Sequence, residues 1–209
     1  RRVVPEAAVV VASSNEVYPA GGPWREEQTP EPRTLYGWTK LHQDQATRAY
    51  GQLYGLKTAC LRHCNAAGGA NPHDSHLMQS VINALLEGRS IEIRSDGTPR
   101  KAYLSVEDVS AAYVLLAEGL LTGGVAPNTA WNAGANETPS ALEVAERLVA
   151  ISGRPTVIRC GGPSAESGYW QGLNSRRLAA LGWTPRPFAV VLAETWDWYV
   201  KHYRQSACP

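Results

Sequence analysis

The chain has 209 residues, 44% of them apolar and 19% charged, which is enough for one large domain or a domain with a small lobe. A net charge of +1 supplies no field for nucleic acid or an anionic membrane, and no apolar stretch nears the roughly 20 residues of a membrane span. The cysteines, at 60, 64, 160 and 208, show no disulfide spacing and imply a reducing, cytoplasmic setting.

The first apolar run, Ala7 to Ser13, is short, continuous and rich in valine. It predicts a strand buried on both faces of a parallel sheet. Arg1 and Arg2 ahead of it imitate a secretion signal, but the run flows into Ser13, Ser14, Asn15 and Glu16 without a cleavage site. Pro19 to Arg33 is a Pro/Gly/Glu stretch without periodicity and predicts a loop. Leu35, Trp38, Leu41, Gln45, Ala49 and Leu53 recur at helical steps, so a helix is predicted over 35–54 with Gly55 as its C-cap. Leu56 to Arg62 is a second buried strand, which completes a right-handed parallel βαβ unit.

Beyond residue 75 the pattern changes. A helix over 76–88 precedes two short alternating segments, "SIEIRS" and "KAYLS", around the turn "DGTPR". Ser105 to Gly119 predicts a helix with Ser105 as N-cap and Asp108 at its third position. "AWNAG" is a short strand, Thr138 to Gly153 an amphipathic helix, and "RPTVIRC" a candidate strand. A short helix stops at Gly182, and "FAVVLAETWDWYVKHY" forms a terminal helix. The implied division is 1–75 for a sheet domain and 76–209 for a second lobe, with some later segments returning to the sheet.

Cys60, His63 and Cys64 imitate a metal cluster. On a strand the two cysteines lie roughly 13 Å apart, too far to share one ion. Packing is the simpler reading, so no metal site is assigned. No G-x-G-x-x-G or Walker pattern joins a strand to a helix anywhere in the chain.

Tyr36 and Lys40 stand four apart, on one face of the predicted helix. Such a pair arises by chance in many helices. Here a strand ending in two serines precedes it, and hydroxyls at the carboxyl end of a parallel strand sit where open α/β sheets bind ligands. A phenol titrates near 10 and is a poor base at neutral pH. An ammonium one turn away favours its phenolate.

"VVVASSNEVYP", "LYGWTK", "CLRHCNAAGG", "IEIRSDGTPRKAYLSVEDVSAAYVLLAEG" and "RRLAALGWTPRP" follow one another in an order that resembles the extended short-chain dehydrogenases/reductases acting on nucleotide sugars. The resemblance covers essentially the whole chain but only the latter two-thirds of such an enzyme. It implies an α/β fold: a Rossmann-like parallel sheet without its N-terminal strands, plus a small α+β substrate-binding lobe. The missing piece is the glycine-rich cradle for the dinucleotide. Either the chain is a fragment of a longer protein or its parent has lost that cradle.

The resemblance also implies roles. NAD is the cofactor and a nucleotide-diphosphate sugar the substrate. Tyr36 is the base on the sugar 4-hydroxyl, and Lys40 holds the nicotinamide ribose. Ser14 hydrogen-bonds the 4-oxygen. Asn65 touches the sugar diphosphate, as does Lys101, in the place of the family's arginine, with Arg100 beside it. His63 is a candidate cofactor contact, against the reading of a satisfied histidine at a strand end. Glu16 falls where 4,6-dehydratases carry the glutamate that removes the C5 proton; its alternative is a surface carboxylate. Asn15 occupies the slot that some dehydratases fill with an acid, and an amide donates no acidic proton. The implied reaction is 4,6-dehydration, with 4-epimerisation and decarboxylation as alternatives. A non-catalytic, dimerising remnant is the alternative of another class. The Tyr36 helix resembles the one that pairs subunits in the family, which implies a homodimer.

Overall fold

The computed structural model describes residues 6–71 and 73–206. Arg1–Pro5 and Cys208 lie outside the described residues. In chain order the strands and helices are β1 (Ala8–Ala12), β2 (Gly21–Trp24), α1 (Leu35–Tyr54), β3 (Lys57–His63), β4 (Asn65–Ala67), α2 (Leu77–Glu87), β5 (Ile91–Ile93), β6 (Arg100–Lys101), β7 (Tyr103–Ser105) and α3 (Val106–Thr122). They continue with β8 (Thr129–Ala133), α4 (Ala141–Ser152), β9 (Ile158–Cys160), β10 (Trp170–Leu173), α5 (Arg176–Ala179) and α6 (Phe188–Ser206). The chain divides into two units. The first holds the chain up to Cys64 with Val106–Ala135 and Gln171–Pro185; the second holds Asn65–Ser105, Asn136–Trp170 and the chain from Arg186.

The first unit is built on a parallel sheet in the order β1-β3-β8. The predicted βαβ unit is present: β1 and β3 pair in parallel, with α1 between them in sequence. Ala59, Cys60 and Leu61 of β3 are fully buried, as a central strand requires. β1 departs from the expectation. It is not buried on both faces, and Val9 is 43% exposed. The reason is position: β1 is the sheet's edge, with β3 on one side and no strand on the other among the described residues.

The stretch read as a loop over 19–33 contains β2, which pairs in parallel with β10. Gly22 adopts a φ of +118°, open to glycine alone, and a Cβ there would strike the carbonyl oxygen of Gly172 on β10. Glycine is read locally as a loop signal, yet here it permits a close strand approach that only the tertiary fold supplies.

In the second unit, "SIEIRS" and "KAYLS" do not pair with each other. β5 pairs with β9 and β7 with β4, both in parallel. Helices α2, α4 and α6 enclose a core that includes Ile82, Leu85, Leu148 and Leu192. Each such side chain contributes about 1.5–3 kcal/mol on burial. Ser140 and Glu143 close a full capping box on α4.

Candidate active site

The site begins where β1 ends. Ser13 continues the ladder, its N–H donating to Leu61 O at 2.9 Å. The chain then turns through one 3-10 turn, Asn15–Val17. The buried Ser14 is the cap of that turn: its Oγ accepts from Glu16 N at 3.1 Å and donates to Asn15 Oδ1 at 3.3 Å. Asn15 in turn donates from Nδ2 to Gln171 Oε1 at 2.6 Å. The half-buried Glu16 accepts at Oε2 from Thr34 Oγ1 at 3.2 Å.

Thr34 links this turn to α1. Besides donating to Glu16, its Oγ1 accepts from Gly37 N at 2.9 Å as the N-cap of the helix. A Cβ on Gly37 would collide with the carbonyl oxygen of Glu16, so the glycine is what lets the helix start sit against the turn. Tyr36 lies between these two anchors and is 55% exposed. Lys40, one turn further on, reaches back with Nζ to Ala12 O at 2.8 Å, the last carbonyl of β1. Its Nζ is 5.8 Å from the Tyr36 ring centroid. The predicted stripe of phenol and ammonium is therefore present, and the ammonium is tethered to the carboxyl end of the strand.

The same stripe continues to Asp44, which is fully buried. Arg62, 2% exposed on β3, grips it through Nε at 2.8 Å and Nη2 at 3.2 Å. Ser13 Oγ donates to Asp44 Oδ2 at 3.2 Å, and Arg48 Nε to Oδ1 at 2.9 Å. Arg62 Nη1 donates to Tyr18 Oη at 2.7 Å, and that hydroxyl donates to Asn132 Oδ1 at 3.0 Å. Burial pushes the Tyr18 phenol above its ordinary value against the pull of the Arg62 guanidinium, so Tyr18 serves as a neutral donor. A buried charge needs a partner, and this cluster supplies one while tying β1, the 3-10 turn, α1 and β3 together.

His63 ends β3. Its Nδ1–H donates to Cys64 O at 2.7 Å, which leaves Nε2 as the acceptor. Burial holds the imidazole below its ordinary value; the bond to Cys64 opposes this and the charge of Lys40 adds to it. His63 is thus neutral at physiological pH. Tyr113 of α3 stands edge-on to it, ring centroids 6.3 Å apart. The Tyr113 hydroxyl is buried with no hydrogen-bond partner among the described residues, and burial pushes it up to about 12. Burial likewise pushes the Cys60 and Cys64 thiols up to about 12 and leaves them inert. Cys60 Sγ donates to Asp44 O at 3.6 Å.

Asn65, Arg100 and Lys101 belong to the second unit. Asn65 is exposed and donates from Nδ2 to Ala102 O at 3.1 Å. Arg100 forks onto Glu143 with both Nη atoms at 3.2 Å and donates to Thr138 O at 3.0 Å, so its guanidinium steadies the start of α4. Lys101 makes a loose pair with Glu166, at 3.5 Å. Of the two cations, Lys101 is the more readily diverted to an anion.

A parallel sheet that presents a serine, a tyrosine and a lysine at its carboxyl ends is the arrangement of a short-chain dehydrogenase/reductase. The sequence model of the NAD dependent epimerase/dehydratase family matches residues 2–134, and the chain belongs to that family. It is 31% identical over 198 residues to a UDP-glucose 4-epimerase of Azospirillum brasilense, covering 85% of this chain and 56% of that one. A UDP-glucose 4-epimerase of Rhizobium leguminosarum bv. trifolii is 28% identical over 214 residues, covering 93% and 64%. The chain thus spans less than two-thirds of either relative. Among solved structures, the dTDP-glucose 4,6-dehydratase DesIV of Streptomyces venezuelae, with NAD and TYD bound, superposes with a TM-score of 0.83 at 25% identity, over 95% of this chain and 61% of that one.

Proposed function

We propose that the whole gene product is an NAD-dependent nucleotide-diphosphate-sugar 4,6-dehydratase. The observation that carries this reading is Glu16: a carboxylate beside Ser14, joined through Thr34 to the start of the helix that bears Tyr36. The nicotinamide end of NAD suits the groups here. Lys40 and Tyr36 are donors for its ribose, and the Tyr113 hydroxyl beside His63, without a hydrogen-bond partner among the described residues, is a buried group that a polar ligand atom would satisfy. When bound, NAD supplies the hydride acceptor and donor.

Tyr36 takes the proton of the sugar 4-hydroxyl as the C4 hydride leaves, with Lys40 favouring the phenolate. Ser14 steadies the 4-oxygen; its donated bond to Asn15 is long at 3.3 Å, so the hydroxyl can re-aim. The resulting ketone acidifies C5–H. Glu16 removes that proton and passes it to the departing 6-hydroxyl, which leaves as water. NAD, held by Lys40 and Tyr36, would supply the hydride for C6, and C5 would take a proton from solvent. Asn65 and Lys101 bind the substrate diphosphate, with Arg100 as the fixed support beside them.

Turnover of a nucleotide-diphosphate hexose in deuterated water by the whole gene product tests this. The expected product is a 4-keto-6-deoxy sugar carrying deuterium at C5. An unlabelled C4 epimer would overturn it in favour of 4-epimerisation, the second reading, which identity to the Azospirillum epimerase favours. Failure to bind NAD at all would point to the non-catalytic remnant.

The homodimer is part of the same proposal. Along α1, Leu35 is 89% and Leu53 76% exposed, with Tyr50 and Tyr54 exposed beside Leu53. A second copy of this helix is the occupant proposed for that face. Sedimentation is expected to give a dimer for the wild type and a monomer for Leu53→Arg; an unchanged dimer would place the interface elsewhere.

A further inference from the structure

Gln171 lies 156 residues from Asn15 in sequence, on β10, and is 2% exposed. Its Nε2 donates to the carbonyl oxygens of Asn15, Tyr18 and Pro19 at 2.9, 3.0 and 3.2 Å. A carbonyl can only accept. The amide nitrogen of Gln171 must therefore face that turn, and Oε1 must face the other way. Oε1 points at the side chain of residue 15, and at 2.6 Å the atom facing this acceptor has to be a donor. Asn15 is that donor, with Nδ2 at 2.6 Å, which turns its own Oδ1 toward the Ser14 hydroxyl.

We infer that Gln171 is a specificity-determining residue: it requires a hydrogen-bond donor at position 15, so this turn holds an amide and not a carboxylate. An aspartate there would set an ionised oxygen against Oε1, both of them acceptors, in a buried place. Resting on the dehydratase reading, a consequence follows for the proton inventory of the turn. Asn15 has no acidic proton, and Tyr18 is a buried phenol already bonded to Arg62 and Asn132. Glu16 is left as the side chain between Ser13 and Tyr18 that both takes the C5 proton and delivers one to the leaving hydroxyl.

The test is a double-mutant cycle on the whole gene product, read by reversible unfolding and needing no substrate. With Gln171 present, Asn15→Asp is expected to raise the unfolding constant about tenfold or more at about pH 8. With Gln171→Met, the same change at residue 15 should move it less than about threefold. The pH dependence has a fixed sign. Once protonated, the carboxyl introduced at position 15 can donate to Oε1, so its folded-state pKa lies above its unfolded one. Stability is then retained below the unfolded value and lost as pH rises through the folded value. An equal loss in both backgrounds, or a loss that ignores pH, would overturn the inference. If Gln171→Met does not fold, the carbon-13 titration of that carboxyl in the Asn15→Asp variant, with Gln171 intact, decides alone: a midpoint above the ordinary carboxylate range supports it, and one at or below that range overturns it. Neither arm involves the sugar, so failure here is separable from failure of the deuterium experiment.

Discussion

Asp44→Ala is expected to destabilise the protein by about 3–5 kcal/mol, because it leaves the Arg62 guanidinium buried without its counter-charge. In a domain of this size that lowers the thermal midpoint by about 10 °C. The loss exceeds that of an ordinary surface ion pair because both partners are shielded from water: Asp44 is fully buried and Arg62 nearly so. Among the described residues no other carboxylate is hydrogen-bonded to Arg62. Tyr18 Oη gives Arg62 one neutral acceptor, and Glu26 O lies at 3.5 Å, the limit of a useful bond. Arg62→Met tests the same cluster from the other side. It leaves Asp44 with Arg48 and Ser13, so it should cost less than Asp44→Ala. The double variant should cost clearly less than the sum of the two, since removing the second charge relieves what the first removal created. Additive costs, measured by thermal or urea unfolding, would show that the pair is not coupled. Loss of Asp44 also frees Ser13, the residue next to the capping Ser14, so the 3-10 turn should loosen together with the core.

How much of this was legible in the sequence depended on how local each signal is. The βαβ core was readable because a valine run, a helical period and a second apolar run each announce themselves within a few residues. Tyr36 and Lys40 were readable as a pair at one helical turn. The same spacing, extended by one and two more turns, names Asp44 and Arg48 as well. An arginine directly after the apolar run 59–61 was a signal that Arg62 needed a buried partner. β2 and Gln171 were a different case. Their roles exist only where distant segments meet, and nothing within ten residues of Gln171 marks it as the clamp on a turn near the start of the chain. Arg100 shows the converse limit. Its charge was visible, but its commitment to Glu143, 43 residues away, was not.

Glu16→Gln should lower turnover by about 10²–10⁴-fold, the usual range for removing a general acid or base, and do so without disturbing the site's geometry. The glutamine Oε1 can still accept from Thr34 Oγ1, so the link from the turn to α1 survives. The backbone N–H of residue 16 still donates to Ser14 Oγ, so the cap survives as well. What is lost is the capacity to take a proton from C5. In the proposed reaction oxidation at C4 depends on Tyr36 and should persist, so reduced cofactor should build up to about one equivalent per site on mixing with substrate, followed by slow return. Tyr36→Phe should behave otherwise. It removes the base for the first step and should abolish both the build-up and C5 deuterium incorporation, again by about 10²–10⁴-fold. The two variants together distinguish dehydration from 4-epimerisation. A dehydratase needs both residues. A 4-epimerase needs Tyr36 but never touches C5, so Glu16→Gln would leave it nearly unchanged. An epimerase-like result, with Tyr36→Phe inactive and Glu16→Gln active, would return Glu16 to the role of a half-buried carboxylate held by Thr34 at the start of α1, and the dehydratase proposal would fall with it.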